Sequence, residues 1–195
     1  MAAVQTLFEQ RSASSVVLTG HSLGAALALL DAVYLPLHLP SGTHVRMVGY
    51  GMPRVGNQAF ADYVDTTHGG SVTHVNNRKD PIAIVPGRLM GFVHPSGELH
   101  IQDASGAWVA CPGQDDAFSL CSVGDVPNVL LGNILDHLGP YDDGIYMGLC
   151  WCVDETKEGK ERVVYVGFNL GYNLQSRKHS MREEKLEKVF REKIP

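Results

Sequence analysis

Residues 16–35 read VVLTGHSLGAALALLDAVYL, and their order decides the fold. Val16–Thr19 is a short apolar run bounded by Gly20, as a buried strand would be. Ser22–Leu35 is rich in Ala and Leu, carries a single charge at Asp31 and stops before Pro36, so it predicts a buried helix. Between them, Gly20-His21-Ser22-Leu23-Gly24 matches G-x-S-x-G, the sharp strand-to-helix turn that lifts a serine hydroxyl above the end of a sheet. Side chains at 20 and 24 would collide with the adjoining strand and helix, hence glycine. Ser22 is the candidate nucleophile. The backbone N–H of Leu23, at the helix start, faces the place where an oxyanion would form.

Ahead of this stretch, Ala2–Gln10 reads as helical turns with Val4, Leu7 and Phe8 on one side. Val45–Tyr50 and Ser71–Asn76 read as two further strands, with the helical stretch Gln58–Val64 between them. Phe92–Ile101 contains the turn signal Pro95-Ser96-Gly97 and predicts a small hairpin. Strands alternating with helices predict an α/β fold, a mostly parallel sheet with helices on both faces. Reactive residues in such sheets sit on loops at the carboxyl ends of the strands.

The chain has 195 residues, 44% of them hydrophobic and 19% charged, which is a globular composition sized for one main core. A net charge of −5 offers no basic excess for nucleic acid. No window approaches the roughly 18 apolar residues of a membrane span, and MAAVQTLFEQRS lacks the layout of a signal peptide. Four cysteines are too few for a disulfide-built miniprotein. The averages hide a break near residue 150. Residues 1–150 hold 6 basic and 13 acidic side chains, whereas residues 151–195 hold 10 and 8. This jump in charge density predicts a body over 1–150 and a charged tail over 151–195. Within the tail, Ser176–Ile194 predicts an amphipathic helix with Leu186, Val189, Phe190 and Ile194 as its stripe.

A serine nucleophile needs a base and an orienting acid, which on this fold follow in the order Ser, acid, His. Asp80, in Asn76-Asn77-Arg78-Lys79-Asp80-Pro81, lies just past the third strand, where a loop carboxylate reaches toward the turn. Asp31, Asp62 and Asp65 belong to helical segments and compete poorly. Among nine histidines, His137 in LDHLGPY (135–141) is the candidate base, in a loop broken by Gly-Pro. His94 and His100 also follow Asp80 but fall in the predicted hairpin, where a surface role is expected. His38, His44, His68 and His74 precede Asp80. Asp136 adjoins His137 and would point elsewhere. Scattered histidines, with Cys150-Trp151-Cys152 too close and too isolated, speak against a metal site.

Together GHSLGAALALLDAVYL (20–35), VGYGMPRVGNQAFADYVD (48–65), VNNRKDPIAIVPGRLMGFVHPSGELHI (75–101) and NILDHLGPY (133–141) resemble the fungal-type class 3 lipases, secreted α/β-hydrolases that cleave carboxylic esters of glycerol and related alcohols. The resemblance runs through most of residues 1–150. It implies Ser22 as nucleophile, Asp80 as triad acid, His137 as base and Leu23 as one oxyanion donor. Pro86, Leu89 and Met90 would border the acyl groove. It also implies an ester or lipid substrate, a lipid–water interface, and chemistry that needs no cofactor.

Family members carry a long portion ahead of the serine turn, with the first strands, the lid helix and the second oxyanion donor. Against that pattern the chain is expected to form a partial α/β-hydrolase fold in which the strand before Ser22 keeps an unpaired edge. Cys150 resembles a C-terminal cysteine that relatives bridge to an N-terminal one. Cys111 and Cys121 could close a short loop in an oxidising compartment. The resemblance places the protein outside the cell, whereas the chain as it stands, without a leader, would be cytoplasmic if complete. Two function classes remain: a serine carboxylic-ester hydrolase (a lipase, or a feruloyl or short-chain esterase) and a non-catalytic fragment serving at most as an interaction module.

Overall fold

The computed structural model describes residues 2–102, 105–141 and 145–147, together with the backbone of 163–168. In chain order these form α1 (Ala2–Arg11), β1 (Ser15–His21), α2 (Leu23–Tyr34), β2 (His44–Tyr50), β3 (Gly56–Asn57), α3 (Gln58–His68), β4 (Val72–Asn77), β5 (Phe92–Val93), β6 (Glu98–Ile101), β7 (Trp108–Cys111), α4 (Ser122–Asp125), α5 (Ile134–Leu138) and β8 (Val163–Phe168).

Six strands make the main sheet in the order β7-β6-β4-β2-β1-β8. All neighbours run parallel except β6 and β7, which are antiparallel. This is the mostly parallel sheet predicted from the sequence. Buried side chains from α1 (Phe8), α2 (Ala25, Ala28, Leu29) and α3 (Val64) share one core cluster with Val16, Leu18 and Met47. The alternate strand residues Val48, Tyr50, Val75, Leu99 and Ile101 form a second cluster, covered by Tyr141 and bordered by Ile145 and Met147. The change of cluster between Met47 and Val48 is the two-residue period of a strand buried on both faces.

Three expectations are corrected. The edge of β1 is not bare: β8 lies parallel to it, from Ser15 opposite Val163 to Gly20 opposite Phe168. VVYVGF (163–168) is a β-branched and aromatic run, and averaging charge over the tail concealed it. A strand of the sheet thus comes from beyond residue 150. Next, Phe92–Ile101 is not a hairpin. Phe92–Val93 pairs with Gly56–Asn57, and Glu98–Ile101 crosses to lie parallel to β4. The intervening turn is bonded to other elements of the fold. Ser96 donates through its backbone N–H and hydroxyl to Asp65, and His74 N–H donates to Gly97 O. Finally, His94 and His100 are not surface residues: they are 3% and 0% exposed.

Cys111 and Cys121 form a disulfide across the loop that follows β7. Cys150, Cys152 and the helix predicted over Ser176–Ile194 lie outside the described residues. Among the described residues, no helix is long and apolar enough to cross a membrane.

Candidate active site

The turn after β1 carries the first element of the site. Ser22 adopts φ 59° and ψ −131°. A positive φ is strained for a residue with a Cβ, and it is held by Ser22 N–H donating to Tyr50 O at 2.9 Å. The neighbouring glycine is a steric necessity, since a Cβ at Gly20 would strike the Gly24 carbonyl in the first turn of α2. Leu23 opens α2, so its N–H belongs to the helix's unpartnered first turn and carries the positive end of the helix dipole.

Asp80 follows the carboxyl end of β4 and is 1% exposed. Its Oδ1 accepts from Ile82 N–H at 2.8 Å. Its Oδ2 accepts from His137 Nδ1–H, also at 2.8 Å and across 57 residues of sequence. Because Nδ1 keeps its proton to donate to Asp80, His137 is left with Nε2 as its basic nitrogen. His137 stands within α5, a short helix whose Asn133 cap accepts from Leu135 N–H, and not in an irregular loop as predicted. Asp136 does point elsewhere: its carboxylate accepts from Lys79 N–H and its carbonyl accepts from Asn77 Nδ2.

Three residues that sequence reasoning passed over surround this pair. His21 lays its ring against His137, with centroids 4.4 Å apart and planes at 34°. Its Nε2 lies 2.7 Å from His137 O, where only an N–H can satisfy the contact. Tyr141 donates its hydroxyl to the same carbonyl at 3.1 Å and meets Tyr50 edge to face. Gly51, at φ +53°, faces Asp80, His137 and Tyr141 so closely that a Cβ would stand 2.8 Å from each. Burial pushes the His21 imidazole below the ordinary histidine range. Burial, with the charge of Asp80 behind it, pushes the Tyr141 phenol upward, so Tyr141 stays a donor. Only Gly51 left a sequence signal, as the glycine before Met-Pro in GYGMPR.

A second framework holds the segment after Asp80. Buried Arg54 bonds both carboxylate oxygens of Asp115 through Nε, at 2.8 and 2.9 Å, and donates through Nη1 to Ile84 O and Pro86 O. The predicted groove residues divide. Pro86 is half-buried with its carbonyl held by Arg54, whereas Leu89 and Met90 stand exposed on the 3₁₀ turn Arg88–Met90. Ser22 and His137 are not hydrogen-bonded to one another, and among the described residues no His, Cys, Asp and Glu cluster is arranged to hold a metal.

Residues 1–90 match the family model of class 3 lipases. A secreted mono- and diacylglycerol lipase of Malassezia globosa is 36% identical over 139 residues, covering 71% of this chain and 44% of that protein. One from Malassezia restricta is 38% identical over 138 residues, covering 69% and 41%. The chain thus spans less than half the length of these relatives. Among solved structures, the Rhizomucor miehei lipase propeptide complex matches with TM-score 0.63 and 37% identity over 76% of this chain and 47% of that one. A triacylglycerol lipase whose catalytic centre is described as a serine protease triad matches with TM-score 0.61 and 36% identity, over 73% and 53%. In its family match over residues 1–90, its relatives and its α/β-hydrolase fold, the chain is similar to the class 3 lipases.

Proposed function

We propose that the protein is a serine carboxylic-ester hydrolase acting on acylglycerols, with Ser22, His137 and Asp80 as its triad. The observation that carries this reading is the buried bond from His137 Nδ1–H to Asp80 Oδ2, at the same sheet end as the strained Ser22 turn. On this reading His137 Nε2 takes the proton of Ser22, and Oγ attacks the ester carbonyl. The tetrahedral oxyanion forms in front of the Leu23 N–H. Collapse expels the alcohol, which leaves with the proton from His137. Water then attacks the acyl-enzyme by the same route, releasing the fatty acid and restoring Ser22. Asp80 holds the tautomer and the charge of the imidazolium throughout.

Exposed Leu23, Leu89, Met90, Leu130, Ile134 and Leu135 supply apolar surface on the segments that carry the site, which supports a substrate met at a lipid–water interface. Pro86, Leu89 and Met90 are proposed to border the acyl chain. The secreted relatives and the Cys111–Cys121 disulfide support an extracellular enzyme.

Release of oleate from monoolein, diolein and triolein emulsions tests the reading. Turnover of at least one of these, abolished in Ser22→Ala, is expected. Equal turnover by Ser22→Ala would overturn the assignment.

A further inference from the structure

The rate of proton transfer depends on how precisely the imidazole of a catalytic histidine is placed against its nucleophile. Asp80 holds the ring of His137 through Nδ1. The backbone end is held differently. The carbonyl of His137 lies 2.7 Å from His21 Nε2 and accepts the Tyr141 hydroxyl at 3.1 Å. His21 is the residue immediately before Ser22, and its strand partner in β2 is Tyr50, whose carbonyl accepts the Ser22 N–H. One side chain therefore ties the base to the strand that sets the nucleophile, over 116 residues of sequence. Its ring also lies along the His137 imidazole at 4.4 Å.

We infer that His21 is a positioning residue for hydrolysis: by donating Nε2–H to the His137 carbonyl, it fixes the base relative to Ser22. The inference rests on the triad reading above. Geometry favours the hydrogen bond over the ring contact as the operative part. A tilted stack at this distance permits sliding in its plane, whereas a 2.7 Å bond to a carbonyl fixes both distance and direction. Tyr141, which donates its hydroxyl to the same carbonyl, is the second anchor. Misplacing a reacting group by about 1 Å costs on the order of 100-fold in rate, so the anchor acts on kcat more than on substrate binding.

Two substitutions separate the parts. His21→Phe keeps an aromatic ring and removes the donor. His21→Gln removes the ring and places an amide N–H where Nε2 stood. His21→Phe is expected to lower kcat by roughly 10- to 100-fold with KM within about twofold, and His21→Gln to stay within about fivefold of the parent. If His21→Phe does not fold, His21→Asn, whose amide falls one bond short of the carbonyl, carries the same expectation. Parental kcat without the donor, a loss as large in His21→Gln as in His21→Phe, or a change confined to KM would overturn the inference.

A second readout needs no turnover. The low-field proton resonance of His137 Nδ1–H, bonded to Asp80, is expected to stay sharp in the parent and His21→Gln and to broaden in His21→Phe. An unchanged resonance in His21→Phe overturns the anchor even in a chain that hydrolyses no ester, whereas a folded parent with no turnover counts against the triad reading alone.

Discussion

Gly51 and His137 leave no space between them. A Cβ on Gly51 would stand 2.8 Å from His137 Nδ1, and equally close to Asp80 Oδ2 and the Tyr141 hydroxyl. The backbone there is at φ +53°, which an L side chain enters only under strain. Gly51→Ala must therefore push the acid–base pair apart or shift its own loop. The account predicts a fall in kcat of about 100-fold or more and a stability loss of about 1–3 kcal/mol. Urea denaturation beside ester turnover reads both, and an active, equally stable Gly51→Ala would show the contact to be slack.

Asp80 is asked to do two things, accepting from Ile82 N–H and from His137 Nδ1–H. Asp80→Asn keeps the shape but can present an N–H to Nδ1, favouring the wrong tautomer of His137. A loss in kcat of the order of 1,000- to 10,000-fold is expected, by analogy with serine hydrolases in general. The fold should change little, as circular dichroism would report.

Arg54 and Asp115 are both buried, at 4% and 4% exposure, and Arg54 also holds the Ile84 and Pro86 carbonyls. Removing Asp115 leaves the Arg54 charge without a carboxylate in the interior, and removing Arg54 leaves buried Asp115 only the long contact from exposed Arg88 at 3.9 Å. Arg54→Met and Asp115→Asn should each cost about 3–5 kcal/mol. The double variant should cost less than the sum of the two, because the second change removes the charge that the first leaves stranded. Strict additivity in a denaturation cycle would contradict the pairing.

His74 and His94 stack inside the protein with ring centroids 4.8 Å apart. Each uses Nε2 on a backbone carbonyl, Pro95 and Ala83 respectively, and each buries an Nδ1 without a partner. Burial lowers both below the ordinary value, His94 strongly, with the His74 charge and Arg54 adding to it; Glu98 and Asp115 oppose the shift at His74. Both histidines therefore take up protons more readily in the unfolded chain. Stability from this pair is complete above about pH 6.5 and falls as the pH drops below it, by up to about 1.4 kcal/mol per pH unit for each histidine. Denaturation midpoints between pH 7.5 and 5 should decline, and His94→Gln should flatten the decline. An unchanged slope in that variant would place the acid sensitivity elsewhere.

The elbow, its flanking strand and helix, and the residues brought together as Asp80 and His137 were legible because each rests on a local pattern: G-x-S-x-G between apolar runs, a carboxylate just past a strand, a histidine before Gly-Pro. The sheet beyond them was less so. β8 hid within a charged tail, since a strand on the edge of β1 is recognised by its pairing and not by its surroundings. The Phe92–Ile101 hairpin failed because Asp65 and His74, distant in sequence, hold its turn. His21 and Tyr141 gave no signal at all, for their role depends on one carbonyl that only the folded chain brings to them.

The central claim is that Ser22 is a nucleophile activated by His137. The measurement that reaches it most directly is covalent trapping of the purified chain with a fluorophosphonate, followed by mass spectrometry of the modified peptide. The account predicts one adduct per chain, on Ser22, formed slowly or not at all in His137→Ala and absent in Ser22→Ala. A folded chain that takes no adduct, or carries it on another residue, would contradict it.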